Sequence, residues 1–322
     1  MRSFRTPQPD ALLVGAPKAG TSALHTALAL HPRVFSSRPK EPKYYMCADA
    51  PPPAYRGPGD AHSQQEWIWR REEYEALFAD APGDSVRIES TPFYLYVRNA
   101  RRRIAEELPD ARVIAVVRDP VDRAYSNWMH LRSDGLEPVD DFVEAFGRES
   151  ERIAAGWAPF WHYRRLGLYG AQLDDLYRHI DGERVFVLRY RELVSEPART
   201  LDRVCTFLGL EPGLVTSIPR DNSRPYVAAG AFTEVASRVV RLGAKAGAHA
   251  PPQLWRRASK PLIATMHWRG EPARPKLDRA SRAALVQGYL EDIDLLEKVT
   301  GQSFSDWRTD ESLGSFRDRT AS

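Results

Sequence analysis

Leu12-Leu13-Val14-Gly15-Ala16-Pro17-Lys18-Ala19-Gly20-Thr21-Ser22 decides how this chain folds. The apolar run from Ala11 to Val14 opens a strand expected over Ala11–Ala16. A tight Gly/Pro turn follows it, and then a helix-like stretch from Thr21 to Leu30. Strand, small-residue loop and helix N-terminus together make an anion site, because unpaired backbone N–H groups and the helix dipole converge on the ligand. A Walker A loop sets its lysine directly after the second glycine. Here Thr21 fills that slot and the lysine is Lys18, inside the loop. The displacement argues against a Mg-ATP machine.

Working outward, further strands are expected at Val34–Ser36, Ser85–Glu89, Arg112–Val117 and Arg184–Leu188. Helical patterns lie between and after them: 65–78, 100–107, 120–132, 139–154, 168–179, 197–207, 232–242 and 279–299. Strands alternating with helices predict an α/β fold, a P-loop-like parallel sheet flanked by helices on both faces. Ligands of such sheets bind at the carboxyl ends of the strands. The segments Gly15–Ser22, Glu89–Pro92 and Arg118–Ser126 all follow predicted strands, so they are expected to meet in space. The expected organisation is a flexible N-terminus over 1–10, a single domain over 11–309 and a flexible tail over 310–322.

Bulk composition excludes several classes. The chain has 322 residues, 43% hydrophobic and 28% charged, which is ordinary globular composition. A net charge of +3 does not by itself imply nucleic acid, and no nucleic-acid partner is expected. Seven of the 46 basic residues are Lys and the rest Arg. Arginine suits bidentate recognition of phosphate and carboxylate. Cys47 and Cys205 belong to no Cys/His cluster, so neither zinc nor a disulfide framework is expected. No apolar run reaches the ~20 residues of a membrane span. A soluble, cytoplasmic protein is the resulting expectation.

The second informative stretch is Val113-Ile114-Ala115-Val116-Val117-Arg118-Asp119-Pro120, continuing to Ser126. A buried strand ends in Arg118, Asp119 is placed to cap the next helix, and Pro120 suits its first turn. Arg118 at the strand tip and Ser126 two turns into the helix are candidates to hold one phosphate monoester.

With both phosphate segments in order, the chain resembles the PAPS-dependent sulfotransferases, in the branch similar to heparan sulfate sulfotransferases and their bacterial relatives. Pro17 to Leu24, followed by His31-Pro32, looks like the family's 5′-phosphosulfate loop. Lys40-Glu41-Pro42-Lys43-Tyr44-Tyr45 resembles the segment that carries an acidic catalytic residue. Glu89-Ser90-Thr91-Pro92-Phe93-Tyr94 resembles its Glu-Lys-(Ser/Thr)-x-x-Tyr segment, and Arg118 through Ser126 its 3′-phosphate motif. Leu166-Gly167-Leu168-Tyr169 and Val187 to Gly209 are similar to its later scaffold.

The resemblance implies in-line transfer of a sulfuryl group from PAPS (3′-phosphoadenosine 5′-phosphosulfate) to an acceptor hydroxyl or amine. The other product would be adenosine 3′,5′-bisphosphate, and no metal is required. Lys18 would neutralise charge growing on the departing phosphate. Backbone N–H groups of Ala19, Gly20, Thr21 and Ser22 would hold the 5′-phosphate, and Arg118 with Ser126 the 3′-phosphate. Glu41 is the candidate base and Glu89 its rival, while Lys43 would shape the acceptor site or support the transition state.

The chain departs from the family at Ser90, where a lysine is expected; Lys43 or another residue would then substitute. Trp268-Arg269-Gly270 is the nearest match to the later nucleotide loop, and Tyr226 is placed to touch adenine. His25 is expected in helix packing or exposed, and Arg101–Arg103 as a solvated face. Trp67, Trp69, Trp128, Trp157 and Trp161 are expected in core packing or along an acceptor cleft. A small-molecule, natural-product or carbohydrate acceptor is expected. The readings from other classes are a P-loop-type nucleotide kinase and a non-catalytic PAPS-binding protein.

Overall fold

A computed structural model describes residues 7–58, 67–219, 231–246, 260–267 and 275–309. Five strands form one parallel sheet: β1 (Ala11–Gly15), β2 (Val34–Ser36), β3 (Val86–Glu89), β4 (Arg112–Val117) and β5 (Val185–Arg189). Their order is β2-β3-β1-β4-β5. Every residue of β1 is buried, as are all of β4 but Arg112. Such unbroken apolar runs are what a sheet covered on both faces requires.

The order carries the functional consequence. β1 lies between β3 and β4, with Leu12 opposite Glu89 on one side and Val113 on the other. The chain leaves β1 toward one edge and later returns to build the other, so the loop after β1 sits at the topological switch point. The ends of β1, β3 and β4 are therefore neighbours.

The chain's contacts group into two compact units. The first comprises Met1–Ala54, Gln64–Arg118 and Asp175–Asn222 and contains the sheet. The helix Arg98–Glu107 is held there by Arg101, which is buried, pairs with Asp175 at 2.7 Å and donates to the Leu95 carbonyl. The solvated face expected at 101–103 therefore holds for Arg102 alone, which is exposed. Arg103 is partly buried and donates to the Tyr45 carbonyl at 3.3 Å.

The second unit comprises Tyr55–Ser63, Asp119–Asp174 and Ser223–Ser322. Its long helix Pro120–Ser133 starts as the sequence dictates. Asp119 accepts from the amides of Val121 and Asp122, both at 3.0 Å, and Pro120 fills the first turn. Arg282, from the helix Arg279–Gln287, pairs with Asp119 and with Asp122. Trp128, Phe142, Trp161 and Tyr163 fill the core, with Trp157 packed against it. Glu137, fully buried at its side chain, is neutralised there by Arg152 at 2.7 Å and accepts from the Tyr163 hydroxyl.

Two expected helices are each two. The stretch 139–154 divides into Phe142–Gly147, capped by Asp141, and Glu149–Ala154. The stretch 279–299 divides at Gly288-Tyr289, where the Tyr289 ring is drawn fully into the core. Among the described residues no helix is long and apolar enough to cross a membrane.

Candidate active site

The loop between β1 and the helix Thr21–Leu28 has the strand, turn and helix form expected of it. The Ala16 amide donates to the Val116 carbonyl at 2.7 Å, extending the β1–β4 pairing into the loop. The Ala19 amide closes a turn on the Ala16 carbonyl at 3.1 Å. Lys18, at the apex, has φ 67°, and Gly20 has φ 94°. A lysine in the left-handed region is uncommon, and such residues concentrate where the backbone serves a ligand. Gly20 is the N-cap of the helix Thr21–Leu28, and no side chain caps it. The first helical amides are thus left to an external acceptor. A Cβ at Gly20 would meet the Tyr190 ring at 2.7 Å, so the loop has no room for a side chain there.

Arg118 stands beside this loop. Its Nη1 donates to the Lys18 carbonyl at 3.3 Å, and its guanidinium lies 4.8 Å from the centre of the Tyr190 ring. One aromatic side chain therefore supports both the turn glycine and the arginine. Ser126 is buried on the helix Pro120–Ser133, in the second unit.

The segment 37–45 is stitched to the end of β3. The Ser37 amide donates to the Ile88 carbonyl at 3.0 Å and the Ser90 amide to the Lys40 carbonyl at 3.2 Å. The Lys43 amide donates to the Thr91 hydroxyl at 3.2 Å, and the Tyr45 amide to the Tyr94 hydroxyl at 3.3 Å. Sequence-distant Glu41 and Glu89 therefore belong to one local structure. Lys43 has φ 64°, and its ammonium lies 5.6 Å from the centre of the buried Trp67 ring.

The two candidate bases occupy opposite environments. Glu89 is fully buried and accepts from the Tyr74 hydroxyl at 2.7 Å and the Tyr94 hydroxyl at 3.1 Å. Burial pushes its carboxyl up to about 7, against the hydrogen bonds of Thr91, Tyr74 and Tyr94. Glu41 retains 33% of its side-chain exposure and takes a salt bridge from Lys40 at 3.1 Å. A group that removes an acceptor's proton must reach it, and Glu41 is open to solvent where Glu89 is not.

Two neighbours carry more than their sequence signals. Lys40, beside Glu41 in the chain and paired with it, also donates to the Ser22 hydroxyl at 2.9 Å. His25 is buried, with Nδ1 2.7 Å from the Ser90 hydroxyl. Burial, aided by the Lys40 charge, lowers His25 to about 4, so its ring is neutral at physiological pH. Spacing reveals neither contact, because both depend on how segments 37–45 and 89–94 fold against the first helix. Tyr226, Arg269 and Gly270 lie outside the described residues.

Fold and loop together define an α/β protein of parallel-sheet type with an uncapped helix start at the end of its central strand β1. A model of the sulfotransferase family matches residues 9–212, and the chain belongs to that family. It is 31% identical over 203 residues to the human heparan sulfate glucosamine 3-O-sulfotransferase 6, covering 63% of this chain and 53% of that protein. It is 28% identical over 209 residues to the human bifunctional heparan sulfate N-deacetylase/N-sulfotransferase 2, covering 64% of this chain and 22% of that protein. The chain thus spans about half or less of the length of these curated relatives. Among solved structures, a sulfotransferase from Alicyclobacillus acidocaldarius superposes with a TM-score of 0.71 at 26% identity, covering 94% of this chain and 99% of that one.

Proposed function

We propose that this protein transfers the sulfuryl group of PAPS to a hydroxyl, or an amine, of a carbohydrate, natural-product or other small-molecule acceptor. The observation that carries the reading is the uncapped helix start after β1, with Lys18 at the loop apex and Glu41 in the adjoining segment. A dianionic 5′-phosphate fits the amides of Gly20, Thr21 and Ser22, while the Ala19 amide, expected among them, is already taken by the Ala16 carbonyl. Lys18 meets the charge that grows on the phosphate as the S–O bond to it breaks. The acceptor oxygen forms the new S–O bond from the opposite side, and its proton passes to Glu41. Sulfuryl transfer of this kind is chiefly positioning and charge stabilisation, as phosphoryl transfer is.

Arg118, anchored to the Lys18 carbonyl, is assigned to the 3′-phosphate that distinguishes PAPS from simpler adenylates. Ser126 as its companion, and Tyr226, Arg269 and Gly270 around the nucleotide, rest on the sequence resemblance. Lys43, next to Trp67, is assigned to the acceptor side. The names of the two human relatives both print heparan sulfate, and one of them glucosamine, so heparan sulfate oligosaccharides head the acceptor screen.

The test is transfer of label from [35S]PAPS to an oligosaccharide and phenol panel, by wild type and Glu41→Gln. The expected result is acceptor labelling that falls about 10²–10⁴-fold in the variant, with bisphosphate binding kept. Undiminished transfer by Glu41→Gln would remove Glu41 from the role of base.

A further inference from the structure

Lys40 is the group that neither the loop nor the base accounts for. Its ammonium donates to the Ser22 hydroxyl at 2.9 Å and to Glu41 Oε1 at 3.1 Å. Its main chain is fixed independently, since its carbonyl accepts from the Ser90 amide at 3.2 Å and the Ser37 hydroxyl at 3.5 Å. The side chain keeps 23% of its exposure, so the charge is partly shielded from water. Its field also reaches the buried His25, where it helps keep the ring neutral.

Resting on the proposed sulfuryl transfer, we infer that Lys40 is the cation that contacts the sulfuryl group itself and makes the site prefer PAPS over adenosine 3′,5′-bisphosphate. In an in-line displacement the order along the reaction axis is phosphate, sulfur, acceptor oxygen, base. Ser22 belongs to the phosphate end and Glu41 to the base end. One ammonium touches both, so the two ends lie no further apart than two hydrogen bonds and Lys40 flanks the middle. The middle is where the sulfuryl oxygens pass. Lys43 is directed elsewhere, toward the Trp67 ring, and Ser90 is engaged with His25. Lys40 therefore supplies the positive charge that position 90 lacks.

The bisphosphate has both phosphates but no sulfuryl group, which makes it the internal control. Affinities for the bisphosphate and for PAPS would be measured on wild type, Lys40→Met and Lys40→Arg, with thermal unfolding of each. The expected result is a loss of PAPS affinity of about tenfold or more in Lys40→Met, the size of a hydrogen bond to a charged group. Bisphosphate affinity should stay within about twofold of wild type by the same scale, and Lys40→Arg should recover part of the preference. Equal weakening of both ligands, or an unchanged PAPS affinity, would overturn the inference while leaving the sulfotransferase reading intact. Wild type binding neither ligand would sink that reading and the inference with it.

Discussion

Single residues decide the chemistry. Glu89 is a fully buried carboxyl raised from 4.5 to about 7, and Glu41 is a partly exposed one in a salt bridge. Because the fold favours the neutral form of Glu89, its folded state holds a proton that the unfolded chain releases. Stability should therefore fall as pH rises from about 4.5 to about 7, by up to roughly 3 kcal/mol. Urea unfolding at pH 5, 6, 7 and 8 reads this directly. Glu89→Gln, which keeps the shape without the charge, should flatten that dependence. Parallel pH curves for variant and wild type would contradict the account. The sequence names both glutamates as candidates, but burial separates their roles, and burial depends on Tyr74 and Tyr94 closing over Glu89. Spacing along the chain carries no trace of that closure. Likewise nothing in the spacing joins Lys40 to Ser22, which the fold brings within 2.9 Å of it.

At the scale of elements, the loop between β1 and the first helix works because its backbone conformation is fixed from outside. Gly20→Ala would force a Cβ onto the Tyr190 ring at a position with φ 94°. The expected outcome is a loss of about 1–2 kcal/mol from the left-handed backbone alone. If the proposed donor site is right, bisphosphate affinity should fall as well, because the displaced atoms belong to the loop assigned to the 5′-phosphate. Arg101→Ala should cost about 1.5–3 kcal/mol in urea unfolding, the size of hydrogen bonds to a charged group, since Asp175 keeps Arg98 at 3.2 Å; a loss below about 0.5 kcal/mol would contradict a structural role for the pair. The strands were legible nearly to the residue. Val34–Ser36 and Arg112–Val117 match the reading, and the other three differ by a residue at one or both ends. Helix ends were less so. The stretch 139–154 breaks where Asp141 caps one helix and Arg148 ends it, and polar residues that cap also occur inside amphipathic helices. Residues 67–70 are not helical although 65–78 reads as one helix, and the helix there is only Arg71–Ala76.

Over the whole molecule, the switch-point sheet gathers Lys18, Lys40, Glu41, Lys43, Glu89 and Arg118 within the first unit. In the proposed reading, lysine and arginine supply the positive charge that meets the donor, and no metal is assigned to hold it. Excess EDTA should leave bisphosphate affinity unchanged within about twofold, well below the size of one charged hydrogen bond. A requirement for Mg²⁺ would favour a kinase instead. The fold class was legible because alternating apolar runs and amphipathic stretches permit few arrangements. The acceptor was not, because its contacts come from loops whose course follows no periodicity.

The most direct test of the donor site is calorimetric titration with adenosine 3′,5′-bisphosphate, 5′-AMP and Mg-ATP, on wild type and Arg118→Ala. The account predicts tight, metal-free binding of the bisphosphate, preferred over both other nucleotides and lost in the variant. Equal affinity for 5′-AMP, or a preference for Mg-ATP, would contradict it.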